Sequence, residues 1–299
     1  RRLPGAGACL LSLLGRLSRR PQRVGPILAT PGLLWLALFF AVPLLLIVGF
    51  SVMGRGLYGG VEPGFTLEHY RRFVDPLYLG IVGRTVWWAL LCTVVSLLIG
   101  YPIAFVIARA SRWRGLLLFL VILPFWTSFL VRMFAMIFLL RDTGFINGVL
   151  LSLGVIEAPL TLLYTPGAVL AGLVYGFLPL MVLPIYASLE KLDDTLLEAA
   201  ETLGAGPAAR FFHVVLPLSM PGVIAGCLLT FIPALGSFVT SDLLGGAKHV
   251  MIGNLIQNQF AAARNWPFGS AAALVVMLAV LLAVVLYLRR RDAAPSVLQ

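Results

Sequence analysis

The stretch "KLDDTLLEAAETLGAGPAARFFHVVLPLSMPG", residues 191–222, stands apart from its surroundings. Four acids, Asp193, Asp194, Glu198 and Glu201, fall within nine residues of a chain in which long uncharged runs are the rule. Between Lys191 and Leu203, the residues Leu192, Leu196, Ala199, Ala200 and Leu203 recur at the spacing of one helical face, and the acids lie away from it. An Asp at the start suits the free N–H groups and dipole of a helix. Gly204 suits its C-terminal end, and Pro207 suits the first turn of a second short helix. The stretch therefore reads as a helical hairpin running toward Leu216-Pro217. Its small residues, Ala199, Ala200, Gly204, Ala205 and Gly206, permit close approach by another backbone. Two readings fit these residues equally: a knob for a socket in another protein, and an amphipathic connector resting on lipid.

Outside the hairpin, composition decides the class. Of 299 residues, 60% are hydrophobic and 11% charged, where a soluble domain carries about 25% charged residues. With a mean hydropathy of +1.00, the chain reads as an all-α integral membrane protein. The net charge of +10 does not point to nucleic acid, because the basic residues sit between apolar runs and do not interleave with aromatics on one face. Cys9, Cys92 and Cys227 are scattered, without metal or disulfide spacing. His69, His213 and His249 are far apart and form no HExxH pattern. No metal, no catalytic constellation and no cofactor of the chain's own is expected.

A hydrocarbon layer about 30 Å thick needs about 20 apolar residues in a helix. Six runs qualify, at 31–53, 86–108, 116–140, 166–189, 221–241 and 269–288. Arginines cluster before the first run (Arg1, Arg2, Arg16, Arg19, Arg20, Arg23), between the second and third (Arg109, Arg112, Arg114) and after the last (Arg289, Arg290, Arg291). The excess of basic residues on the cytoplasmic side places both termini, and the hairpin at 190–217, in the cytoplasm. The chain divides into an N-terminal segment, 1–30, with a short surface helix at 10–17; a six-span body, 31–288; and a tail, 289–299. "FTLEHYRRF" reads as a small external helix.

Several residues within the spans carry chemistry. Arg132 stands about two turns inside the third run, where a charge must face protein or water, and is expected to pair there. Trp126, Thr127 and Ser128 follow Pro124, and Tyr175 lies in the fourth run; aromatic faces hold cationic amines. Gly172–Gly176 and Gly222–Gly226 both form GxxxG, a spacing that lets membrane helices touch.

Glu198-Ala199-Ala200, then Gly204, then Val214-Val215-Leu216-Pro217 resembles the EAA loop of ABC importer permeases, with Val214 where Ile is usual. "GYPIAFVIAR", "LPFWTSFLVR", "LRDTGFINGVL", "VYGFLPLMVLPIYASLEKLD", "FIPALGSFVT", "LLGGAKHVMIGNLIQNQF" and "RNWPFGSA" are similar to the spermidine/putrescine importer permeases. The resemblance covers about residues 30–288. It implies a type I-like permease fold in a bacterial cytoplasmic (inner) membrane. It also implies a second, homologous permease subunit, two ATPase subunits that use ATP and Mg, and an external substrate-binding protein. The chain has no GxxxxGKS or GxxxxGKT loop of its own. The resemblance assigns ATPase coupling to Glu198, Ala199, Ala200, Gly204, Leu216 and Pro217. For a small cationic solute it directs attention to Trp126, Ser128, Tyr175 and Asp242, the acid that stands alone between Glu201 and Asp292. Asp242 reads either as part of the external mouth or as a partner of Lys248 or Arg264. The chain departs from the family at Ser237, where polyamine permeases often carry Glu, so a permease for another small solute remains an alternative. An ATP-independent secondary transporter would call for mid-span relays and inverted repeats, which the sequence lacks.

The arginine distribution makes a direct prediction. Cysteines introduced near residues 20 and 292 stay shielded from an impermeant thiol reagent in intact cells, and one near residue 60 is labelled; the reverse pattern overturns the orientation.

Overall fold

Hydropathy and backbone chemistry dictate helices for this chain, because N–H and C=O groups in hydrocarbon find no water and must bond within the chain. The computed structural model describes residues 21–246 and 249–292. The surface helix expected at 10–17, Lys248, and the tail beyond Asp292 lie outside those residues. Five helices are long and apolar enough to cross a bilayer, and a bent pair makes six if counted as one span.

Helix α1 (Pro21–Ser51) starts ten residues before the expected span, at a proline that suits a first helical turn. It leans on the last helix, and its most apolar stretch has no buried residue. A short antiparallel pair, β1 (Gly54–Arg55) and β2 (Val61–Glu62), and α2 (Glu68–Phe73) follow, the last where the small external helix was expected. Helix α3 (Pro76–Arg109) has 34 residues and so runs about 50 Å, well beyond the expected 86–108. Its added N-terminal turns bury Tyr78 and Ile81 against Phe73, Ile252 and Phe268.

The third span is not the continuous helix expected at 116–140. Helix α4 (Arg114–Ile122) tightens into a 3₁₀ turn at Leu123–Trp126, and α5 (Phe129–Leu140) leaves it; the bend between the two halves is 94°. Thr127 and Ser128 are extended. The Thr127 hydroxyl donates to the Pro124 carbonyl at 2.7 Å, occupying the acceptor that a continuing helix would use. After α6 (Phe145–Ser152), the loop to the next span is held by the buried Asn147. Its amide donates to the Arg141 and Leu160 carbonyls and accepts from the Leu160 N–H.

Helix α7 (Pro166–Leu189) coincides with the fourth expected span. The hairpin comes next, as α8 (Asp194–Thr202) and α9 (Pro207–Arg210). A π-helical turn, Phe211–Val215, then leads without a break into α10 (Leu216–Gly236). The continuous helix that carries the fifth span therefore begins at Pro207 and not at 221, and it stops at Gly236, short of 241. Ser237 is extended, and the chain resumes as α11 (Val239–Gly245), α12 (Ile252–Ala261) and α13 (Trp266–Asp292). The last helix carries 289–292, which had been assigned to the tail.

Helix α7 is the pillar, packing against α3, α10, α5 and α11. Both GxxxG pairs are contact surfaces. A Cβ on Gly172 would lie 2.3 Å from Leu244 Cδ1, and one on Gly176 would lie 2.9 Å from Phe129. On α10, a Cβ at Gly222 would lie 2.4 Å from the Pro184 carbonyl oxygen, and one at Gly226 2.9 Å from that of Met181. A backbone oxygen cannot rotate away as a side chain does. Gly222→Val should therefore destabilise the protein by about 1–3 kcal/mol, read as a lower unfolding temperature in detergent. Gly83→Ala, where an added Cβ meets nothing within 4 Å, should change it little.

Candidate functional site

Two regions, one at the C-terminal end of α7 and one along its N-terminal half, collect the residues singled out by sequence. At its C-terminal end, Asp193 caps α8: its carboxylate accepts from the Thr195 N–H at 3.0 Å, and this bond holds the Asp193 carboxyl below its usual range. Gly204 has φ +82°, the left-handed geometry that ends helices and that glycine adopts without a Cβ penalty. Arg210 pairs with Glu201 at 2.6 Å, and Arg114 with Glu190 at 3.1 Å, tying the hairpin across its turn and the end of α7 to the start of α4. Both pairs are partly exposed, so each contributes little to stability.

The face by which α8 docks differs from the expected one. Leu197 is the buried residue and joins Ile107, Ile185 and Val215 in one cluster. Leu192 is half-buried, whereas Leu196, Ala199 and Leu203 are exposed. The helix is short enough for two neighbouring faces to satisfy the periodicity, and contact with Val215 and Phe211 selects Leu197. Glu198 is exposed and enters no ion pair among the described residues; its carbonyl accepts from the Thr202 hydroxyl. Nothing lies within 4 Å of a Cβ built on Gly204 or Gly206. Leu216 and Pro217 sit at the root of α10, where Tyr101 and Ser219 share a hydrogen bond of 2.9 Å. Cavities of about 210 and 200 Å³ flank the hairpin, the first reached by Arg109, Arg114 and Asp194, the second by Arg109 and Arg210.

Along the N-terminal half of α7, the two broken spans meet. Helices α5 and α11 pack on each other and on α7, with Met133, Leu140, Ala168 and Leu244 buried between them. Trp126 is 76% exposed, with its ring edge-on to Phe119. Ser128 is exposed at the start of α5, and Tyr175 is partly exposed on α7. Asp242 is exposed on α11, and its carboxylate accepts a hydrogen bond from the Asn254 amide. No hydrogen bond or ring contact among the described residues joins Trp126, Ser128, Tyr175 and Asp242 to one another. Arg264, one of the two expected partners of Asp242, forms no ion pair with it among the described residues.

Arg132 is 6% exposed but pairs with no acid among the described residues. Its guanidinium lies 5.4 Å from the ring centres of both Phe125 and Phe129, and its Nε and Nη1 find no acceptor among the described residues. Cation–π contact thus replaces the expected ion pair. Ser237 is buried and donates to the Thr240 hydroxyl at 3.1 Å, so this position faces inward.

Asn254 was missed by sequence reading. It is 7% exposed; its carbonyl oxygen accepts the Met251 N–H at 2.9 Å, and its amide donates to the Phe238 carbonyl at 3.0 Å as well as to Asp242. An Asn at the third position of α12 was the available signal, since that position suits a side chain that reaches back to the helix start.

Comparison with known proteins agrees with this architecture. Residues 97–291 match the family model "Binding-protein-dependent transport system inner membrane component". The chain is 46% identical over 256 residues to the spermidine/putrescine transport system permease protein PotB of Escherichia coli strain K12, covering 85% of this chain and 93% of that one. It is 44% identical to PotB of Haemophilus influenzae, covering 85% and 90%. A chain of the solved bacterial alginate ABC transporter, in complex with an alginate pentasaccharide-bound periplasmic protein, superposes with a TM-score of 0.71 at 18% identity, covering 94% of this chain and 98% of that one. With its helical body, its hairpin and these matches, the chain belongs to the family of binding-protein-dependent transport system inner membrane components, the membrane-spanning permeases of ABC importers.

Proposed function

We propose that this chain is the permease subunit of an ATP-driven polyamine importer. The observation that carries the reading is the 46% identity to a spermidine/putrescine permease over 256 residues, a span that includes both the hairpin and the broken outer helices. In this reading a second, homologous permease, two ATPase subunits and an external binding protein complete the importer, and ATP and Mg act on the ATPases. Both termini face the cytoplasm.

The hairpin is the surface offered to an ATPase. Leu196, Ala199 and Leu203 form an exposed apolar ridge beside Glu198, while Leu197 holds the ridge to the body and the Glu201–Arg210 pair closes the hairpin on itself. Ala200 and Gly204 keep the approach low, and Leu216-Pro217 root the hairpin in α10. At the other region, a polyamine has several amines with pKa values near the lysine reference of about 10.4, so it arrives charged. Exposed Trp126 and Tyr175 offer ring faces, Ser128 a hydroxyl, and Asp242 a carboxylate. Ser237 is buried on Thr240, so the counter-charge at this mouth falls to Asp242.

One observation favours a second reading. The buried Arg132 has two nitrogens, Nε and Nη1, without acceptors among the described residues, a feature suited to an anionic solute. Competition for uptake decides between them: unlabelled spermidine should displace labelled putrescine, and displacement of either by anions alone would overturn the polyamine reading. Asp242→Asn should raise the half-saturating putrescine concentration by about tenfold, the loss of one charge-assisted contact of about 1.4 kcal/mol, with assembly unchanged; normal uptake would return Asp242 to a structural role. Gly204→Leu forces a side chain into a left-handed backbone at a cost of about 1–2 kcal/mol. Uptake should fall while the permease still reaches the membrane, and unchanged uptake with unchanged ATPase stimulation would remove the hairpin from coupling.

A further inference from the structure

Asp242 sits on α11, seven residues long, just after the break at Ser237. An exposed carboxylate at such a place has rotamer freedom that a binding contact must first remove. The structure removes it in advance. Asn254, on the neighbouring α12 and 93% buried, directs one amide hydrogen at the Asp242 Oδ1 atom and the other at the Phe238 carbonyl. Its own oxygen is occupied by the Met251 N–H, which fixes the amide's orientation: a flipped amide would set N–H against N–H. The start of α12 is in turn pinned to α3, since the Thr85 hydroxyl accepts the Ile252 N–H at 2.9 Å and donates to the Ile81 carbonyl at 2.8 Å. The carboxylate is therefore referenced through two buried side chains to the longest helix of the body.

We infer that Asn254 is a positioning residue for solute selection: it holds one oxygen of Asp242 and leaves the other aimed at the exposed face, where it receives an ammonium group of the incoming polyamine. This rests on the polyamine reading above. Asn254 does not touch the solute. It selects by fixing where the first ammonium sits, and therefore where the second ammonium falls for each chain length. Preorganisation of this kind lowers the ordering cost of binding.

The test is a double-mutant cycle on the complete importer reconstituted in proteoliposomes, with labelled putrescine and spermidine as probes and both KM and maximal rate measured. Asn254→Leu should raise the putrescine KM about tenfold, leave the maximal rate within about twofold, and change the putrescine-to-spermidine KM ratio, and Asn254→Gln should recover part of the loss. In the Asp242→Asn background, Asn254→Leu should add little, because residues acting through one contact are not additive. Equal KM increases in both backgrounds would overturn the positioning role while leaving the polyamine reading intact. An Asp242→Asn importer with unaltered KM for both polyamines would instead remove Asp242 as the contact, whatever Asn254 does. If Asn254→Leu fails to assemble, the same cycle runs with Asn254→Ser. Failure of both to assemble assigns Asn254 to the fold and overturns the proposal.

Discussion

Every backbone N–H and C=O within the hydrocarbon must be bonded inside the protein, and the architecture follows from how this chain meets that demand. Long helices do so by themselves. The breaks do so only because side chains stand in for the missing helical bonds. Thr127 occupies the Pro124 carbonyl where the third span turns, and the Asn254 side-chain oxygen takes the Met251 N–H just ahead of α12. Thr85 takes the Ile252 N–H at the start of α12. Irregular backbone at membrane depth is tolerable where it is buried in protein or lines a water-filled cavity; in this chain one break, at Thr127, lies level with the middle of α7, where Phe129 meets Gly176, and the other, at Ser237, lies toward the N-terminal end of α7.

Around these breaks the body is held by close contact. Lipid is as apolar as leucine, so helix association in a membrane draws on packing more than on water exclusion. Helix α7 meets α5 and α11 through Gly172 and Gly176, and Gly222 and Gly226 of α10 sit against its backbone oxygens. Arg132, buried beside this contact, is accommodated on two phenylalanine faces. A desolvated guanidinium over aromatic rings recovers about 2 kcal/mol or more, which offsets only part of its burial.

Sequence periodicity located what depends on composition and local chemistry. The fourth span came out residue for residue, because Thr165-Pro166 caps one end and the charges after Leu189 stop the other. The hairpin came out for the same reason, through Asp193, Gly204 and Pro207. Features that depend on a neighbour were hidden. Choosing Leu197 over Leu196 required the position of Val215. The third run carried Pro124, but prolines also lie inside α3, α7 and α10, so proline alone does not separate a bent span from a straight one. Asp242 and Asn254 stand twelve residues apart across two helices, outside any helical spacing, and Arg132 gave no sign in sequence that aromatic faces would replace an acid. The family resemblance carried the function further than the residues could, and it was silent on Asn254.

The glycine contacts on α10 have a mechanical meaning. The helix is gripped by α7 at Gly222 and Gly226, with the hairpin on one side of that grip and the Ser237 break on the other. At 1.5 Å per residue, the arm back to Pro207 is about 22 Å and the arm on to Gly236 about 15 Å. Contact with α7 does not end at that grip, since Ala234 and Leu235 are buried with Val169, Leu173 and Val174. A helix held at both places is a strut and not a free arm, and it shifts together with the helix that holds it. Gly222 and Gly226 therefore set the spacing of a paired strut that joins the root of the hairpin to the Ser237 break.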